Sequence, residues 1–194
     1  MSFIALAYLA LLPQEDNGEG LYRFQPGTTW VYSEVQREPK GETRKRSVME
    51  AKKFEDGKTE IEEKEYEGEA TEPTQVKTVY SYLEDGYVCW GKMVEEKLTA
   101  DLRVFKVGAK KGDTWTFGEG KRVVQLTHMG TADVTVKAGS YKDALYVQMS
   151  FGDKKTSGTA DFYFVSGIGL VKGEMKMGDL VANQIELQEF KAAK

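Results

Sequence analysis

Few residues of this chain have the chemistry of an active site. The one histidine, His128, ends a predicted strand from Lys121 to Thr127, between Thr127 and Met129. A histidine-based metal site or a Ser-His-Asp constellation would depend on it alone, and neither neighbour is a metal ligand. It reads as a strand-end histidine facing solvent or a loop carbonyl. The one cysteine, Cys89, lies in an alternating run between Val88 and Trp90, where a free thiol behaves as a small buried hydrophobe. A single cysteine also excludes an internal disulfide and a cysteine-based zinc site. Gly86 to Lys92 spells G-x-x-x-x-G-K, but Met93 stands where a phosphate loop needs Ser or Thr for Mg²⁺, and the stretch reads as strand. Gly57-Lys58-Thr59 fails likewise, since its upstream glycine is missing. The acidic run Glu60 to Glu72 lacks Asp-x-Asp-x-Asp-Gly spacing, and carboxylates alternating along a strand point to opposite faces. Carboxylates are abundant, yet a glycosidase pair is defined by a separation in space, not by number. The expectation is a protein that is not an enzyme, with no cofactor and no metal site.

Charge narrows the partners. The chain has 194 residues, 40% hydrophobic and 30% charged, with a formal net charge of −4. That is ordinary for a globular protein and long enough for one good core or two small ones. No domain-scale basic excess exists, so nucleic acid is not an expected partner. The basic run Arg44-Lys45-Arg46 has acidic partners across a turn and reads as part of a solvated hairpin.

Phe3 to Leu12 is an apolar run too short to span a membrane and about as long as a signal-peptide core, followed by the polar stretch Gln14 to Gly20. Export is expected, with residues 1–20 as signal peptide and linker and the mature chain starting between about Leu12 and Glu19. The membrane is then met only through a cleavable signal. The n-region has no Lys or Arg, and Pro13 follows the leucines directly. A short buried helix or strand is the other reading of the run.

The elements that would position any site are extended. In Ala160 to Met177, Ala160, Phe162 and Phe164 alternate with Asp161 and Tyr163, and beyond a glycine corner Val171, Met175 and Met177 alternate with Lys172, Glu174 and Lys176. Period two marks half-buried strands, with Phe162 and Phe164 expected inward and Asp161 outward. Asp56-Gly57 should join Thr43–Phe54 to Thr59–Glu67 as a type I′ hairpin. That turn would set Lys53 opposite Glu60, Arg46 opposite Glu67, Arg44 opposite Glu69 and Glu50 opposite Glu63, with Val48, Phe54 and Ile61 as a thin apolar face. Asp85-Gly86 should likewise pair Leu83 with Val88, Tyr82 with Cys89 and Tyr80 with Gly91. Later segments are expected at Leu102 to Val107, at Trp115 to Leu126 with a bend at Gly118 to Gly120, at Thr131 to Val136, Ala144 to Phe151, Gly158 to Val165 and Leu170 to Met177, and finally at Leu180 to Phe190. Residues 21–194 are therefore expected as one all-β domain. Its antiparallel meander of about 10–13 strands would form a strongly curved sheet or barrel-like structure, the alternative being a β-sandwich.

The chain also echoes itself. Gly27 to Tyr32 (G-T-T-W-V-Y) matches Gly112 to Phe117 (G-D-T-W-T-F), an offset of 85 residues, and Gly86 against Gly167 gives an offset of 81. Two similar halves, roughly 26–96 and 111–177, are one reading. These two segments, with Val134 to Tyr141 (V-T-V-K-A-G-S-Y) and Gly167 to Lys172 (G-I-G-L-V-K), resemble exported bacterial β-rich proteins of unknown function of the DUF3108/TapB type. The resemblance implies an envelope or extracellular location and an antiparallel, barrel-like sheet, and it carries no catalytic residues. Two functions follow as expectations: a non-catalytic binding module for an unknown protein partner, or a carrier enclosing an apolar ligand such as a lipid. Core or ligand-pocket candidates are Trp30, Trp115, Met149, Phe162, Phe164 and Met175. The bulky residues Val124, Leu126, Leu145, Val147 and Phe151 would fill a small barrel, whereas Met149, Met175 and Met177 could line an adaptable pocket.

Overall fold

The structure is a computed structural model that describes residues 18–39, 41–119, 123–152 and 157–194. The apolar run from Phe3 to Leu12, and with it most of the expected cleavage region, lies outside the described residues. Twelve strands follow one 3-10 turn, Glu19–Leu21: β1 (Thr29–Glu38), β2 (Gly41–Glu55), β3 (Lys58–Glu67), β4 (Gln75–Glu84), β5 (Tyr87–Val94), β6 (Lys97–Lys106), β7 (Thr114–Phe117), β8 (Val124–Val136), β9 (Gly139–Gly152), β10 (Ser157–Val165), β11 (Gly169–Met177) and β12 (Leu180–Lys191). All belong to one antiparallel sheet in the order β6-β5-β4-β3-β2-β1-β12-β11-β10-β9-β8-β7. The strand number falls in the expected range, and a single continuous sheet excludes the sandwich.

Consecutive strands pair with one another, which short turns make cheap, except β6 and β7; β1 and β12 pair in addition with each other. The pairing of first strand with last puts both chain ends in the middle of the sheet and makes β6 and β7, consecutive in sequence, its two edges. Curvature brings those edges together. Trp115 Nε1–H on β7 donates to the Arg103 carbonyl on β6 at 3.0 Å, and the rings of Phe105 and Trp115 meet edge to face at 6.3 Å. The result is a nearly closed barrel, with six strands from each half of the chain.

Both Asp-Gly turns form as their chemistry requires. Asp56 and Gly57 have φ of 51° and 75°, and Asp85 and Gly86 of 51° and 78°. The second hairpin takes the expected register, with Leu83 opposite Val88, Tyr82 opposite Cys89 and Tyr80 opposite Gly91. In the first, Lys53 faces Glu60 as expected, but a bulge at Lys52 shifts everything beyond it by one residue. Arg46 therefore faces Tyr66 instead of Glu67, and Glu50 faces Glu62 instead of Glu63. Its guanidinium lies over the Tyr66 ring, 4.4 Å from the centroid. A one-residue slip exchanges the faces of a strand, so Ala51 and Ile61 are buried together while Val48 sits opposite Lys64.

Two other expectations are corrected. Trp115 to Leu126 is not one bent strand: the chain reverses, and Trp115 lies directly opposite Leu126 in the β7–β8 ladder. His128 consequently stands inside β8 and not at a strand end, because β8 runs on past Gly130, at φ 100°, to Val136. Asp161 is not exposed. It is 8% accessible and accepts hydrogen bonds from Tyr146 Oη at 2.7 Å and Gln148 Nε2 at 2.9 Å, beneath the stacked rings of Tyr146 and Tyr163. Alternation places Asp161 opposite to Phe162 correctly, but neighbouring strands supply long side chains that cover it.

Packing concentrates at the end of the barrel where β1 begins. One cluster joins Phe24, Trp30, Tyr32, Ala51, Ile61, Val171 and Leu187, and the tip of the β8–β9 hairpin adds Val134, Val136 and Ala144. That tip is fastened to β12 by the Ala138 N–H donating to the Leu187 carbonyl at 3.2 Å. The second cluster joins Leu21, Tyr22, Val88, Val104, Phe105, Trp115, Leu126, Val147 and Phe164.

Candidate functional site: a cavity inside the barrel

The segment from Gly18 to Phe24, expected in part to be linker, is a plug. Its Leu-Tyr-Arg-Phe sequence (Leu21 to Phe24) puts three large apolar side chains just before β1, and Leu21, Tyr22 and Phe24 are all buried. Buried backbone must find partners, and strand side chains provide them. Thr59 Oγ1 donates to the Tyr22 carbonyl at 2.6 Å and accepts from the Phe24 N–H at 3.1 Å, while Ser81 Oγ donates to the Leu21 carbonyl at 3.4 Å. The β10–β11 turn closes the other side, where the Gly167 N–H donates to the Gly20 carbonyl at 2.8 Å. A Cβ at Gly20 would lie 2.8 Å from the Gly167 backbone nitrogen as well as 2.0 Å from Ser166 Oγ, so a side chain there would push the turn away.

Above this plug the barrel is not filled. A cavity of about 310 Å³ is bounded by Leu21 and Phe24 of the plug, by Trp30, Met49, Ile61, Val79, Trp90, Leu102 and Ile185 of the strands, and by Ile168 of the β10–β11 turn with Gly169 and Leu170 at the start of β11. Trp30 is held as a wall, with its Nε1–H donating to the Ile168 carbonyl at 2.6 Å and its ring edge-on to Phe24 at 4.9 Å. Tyr32 donates its hydroxyl to the Leu170 carbonyl at 2.8 Å, and burial drives its pKa far above the ordinary range, so it serves as a fixed neutral donor.

The charged part of the wall is acidic. Glu34, Glu63 and Asp101 line the cavity, and among the described residues no Lys, Arg or His does. Burial pushes the Glu63 carboxyl above its usual range, opposed by Lys77, whose Nζ lies 3.3 Å away and which also pairs with Glu65. Lys92 pairs with Asp101 at 3.1 Å. Glu34 is held by amides instead, accepting from Asn183 Nδ2 and Gln36 Nε2, each at 2.7 Å.

The chain is similar in structure to a candidate exported protein with YmcC-like fold from Bacteroides fragilis, at TM-score 0.60 and 13% identity, over 88% of this chain and 98% of that one. It is similar also to a candidate lipoprotein from Parabacteroides distasonis, at TM-score 0.58 and 14% identity, over 88% and 99%. A β-barrel-like protein of domain of unknown function DUF1849 from Brucella abortus aligns at TM-score 0.39 and 12% identity, over 89% and 100%. No family model and no curated protein matches the sequence. The first two likenesses establish a shared barrel-like fold at low identity.

Of the six residues singled out from the sequence, Trp30 lines the cavity, while Trp115 and Phe164 are buried in the second cluster. Met149 and Phe162 pack against that cluster half-buried, and Phe162 lies over the cross-strand Gly173, where a Cβ would meet its ring at 3.5 Å. Met175 is half-buried between Ala160 and Asn183. The methionine-lined pocket is thus corrected. Met149, Met175 and Met177 are not among the cavity's walls, and Met49 of β2 is. Bulky side chains of β7–β10 fill their side of the barrel, and the void falls against the first-half strands, whose inward residues include Ser47, Ser81 and Gly91. His128 also departs from expectation. Its two ring nitrogens are buried without a protein partner, and its ring meets Phe105 edge to face at 5.8 Å.

Proposed function

We propose that this chain is a non-catalytic, exported binding domain that holds a small apolar ligand inside the barrel. The observation that carries the reading is the cavity of about 310 Å³ with aromatic and aliphatic walls and a few polar groups at one side, the form and size of small-molecule sites. Export is supported by the apolar run Phe3 to Leu12 and by the likeness in fold to a candidate exported protein and a candidate lipoprotein. Trp30 and Trp90 line the cavity and Trp115 does not. Titration with a short-chain apolar ligand should therefore change tryptophan emission in the wild type and in Trp115→Phe alike, and native mass spectrometry of protein purified from its own host should show a retained small molecule. An unchanged spectrum and a mass equal to the polypeptide alone would refute the reading.

A second reading, a module that binds a protein partner, is favoured by one surface. Val76, Met93, Val94, Val123, Met177 and Leu180 are exposed, and all stand at strand ends on the barrel rim opposite the plug. Exposed apolar groups gathered on one rim suit an interface. Loss of a partner from pull-downs on Met93→Lys/Leu180→Lys, with ligand binding retained, would decide for it.

A further inference from the structure

The arrangement of charge on the cavity wall says which head group the ligand carries, given the apolar-ligand reading above. Trp30, Ile61, Phe24 and Ile168 give the part nearest the plug an apolar surface, and the charged lining residues Glu34, Glu63 and Asp101 are all acidic, beside the neutral Ser47, Ser81 and Tyr80. Two of these have a cation behind them, Lys77 at Glu63 and Lys92 at Asp101. Among the ion pairs of the described residues Glu34 has none, and its carboxylate is held by the amides of Asn183 and Gln36. A carboxylate brought into this space would be desolvated beside charges of its own sign, whereas an ammonium would supply the cationic partner that Glu34 lacks.

We infer that the cavity takes a single-chain amphiphile with a cationic, amine-bearing head, its hydrocarbon toward the plug and its head at Glu34, and that it discriminates against the fatty acid of the same length. The small volume admits one short chain and leaves no space for a two-tailed lipid. Glu34 is central because it can accept from an ammonium without first giving up a lysine.

The test is calorimetric titration of the full chain at neutral pH with decylamine, decanol and decanoate below their micellar concentrations. Decylamine should bind at least about tenfold more tightly than decanoate, with decanol between them, and added salt should narrow the gap. Glu34→Gln should weaken decylamine several-fold while leaving decanol unchanged, which also shows that the variant keeps its fold and cavity. Glu69→Gln, an exposed change of the same net charge, should leave all three as in the wild type. Decanoate binding as tightly as decylamine, or equal losses in Glu34→Gln and Glu69→Gln, would overturn the head-group assignment and leave the apolar-ligand reading standing. Failure of all three ligands to bind would overturn that reading too.

Discussion

Thr59 shows how much one side chain can hold. It is fully buried, and its hydroxyl bonds two backbone groups of the plug to β3. Thr59→Val keeps the shape and strands a carbonyl and an N–H in the interior, so it should cost about 1–3 kcal/mol in chemical denaturation, while Thr59→Ser stays close to the wild type. Cys89 is the converse case, a buried group with chemistry that is suppressed. Burial pushes its thiol from an ordinary value of 9.0 to about 11. At pH 8 it should resist a thiol reagent until the protein is unfolded. The sign of its pH effect follows from the same shift. Between pH 9 and about 11 the unfolded chain releases the thiol proton and the folded chain keeps it, so this group's contribution to stability is whole below pH 9 and lost across that window. Comparison of Cys89→Ala with the wild type in alkaline denaturation measures it.

Among the elements, the hairpins divide into those specified by their turns and those specified by their neighbours. Both Asp-Gly turns were legible because the type I′ turn demands residues that accept positive φ. The bulge at Lys52 and the reversal after Phe117 were not, because nothing local distinguishes a strand that bends from one that turns back. Only the pairing of Trp115 with Leu126 does. Two glycines separate backbone need from space. Gly57 at φ 75° has nothing within 4 Å of where a Cβ would be, so Gly57→Ala should cost only the left-handed penalty of about 1–2 kcal/mol. At Gly91 the Cβ would stand 2.3 Å from the Thr99 carbonyl oxygen, in the bulged β5–β6 ladder that lines the cavity. Gly91→Ala must move β6, and its midpoint in urea should fall further than that of Gly57→Ala.

At the scale of the molecule, the barrel depends on a seam that carries no strand ladder. The Trp115 bond to the Arg103 carbonyl and the Phe105–Trp115 contact hold β6 against β7. Trp115→Phe keeps most of the packing and removes the bond. Amide exchange should accelerate along Lys97 to Lys106 and Thr114 to Phe117 while the central β1–β12 ladder stays protected, since an edge opens before the middle of a sheet. Uniform acceleration throughout would mean that the seam and the sheet open as one unit. The two tryptophans that head the repeated motif each stand second in a strand, Trp30 in β1 and Trp115 in β7, after glycines at φ 89° and 95°. Their bonds differ in reach, however: Trp30 grips the β10–β11 turn beside the cavity and Trp115 closes the seam.

What the sequence determined by itself is the all-β class, the two Asp-Gly hairpins and the identity of many bulky core residues, because period-two alternation and turn chemistry are local properties that neighbours in sequence carry. Tertiary structure decided the rest. The burial of Asp161 depends on Tyr146 and Gln148 from another strand, and the partnerless burial of His128 on Phe105 across the seam. The cavity depends on the closing of the sheet, which sets the filled side of β7–β10 against first-half strands whose inward residues include Ser47, Ser81 and Gly91, and on a plug whose Leu21, Tyr22 and Phe24 look in sequence like the end of a linker. No local pattern encodes an empty volume, since it is a difference between what surrounding elements enclose and what their side chains fill.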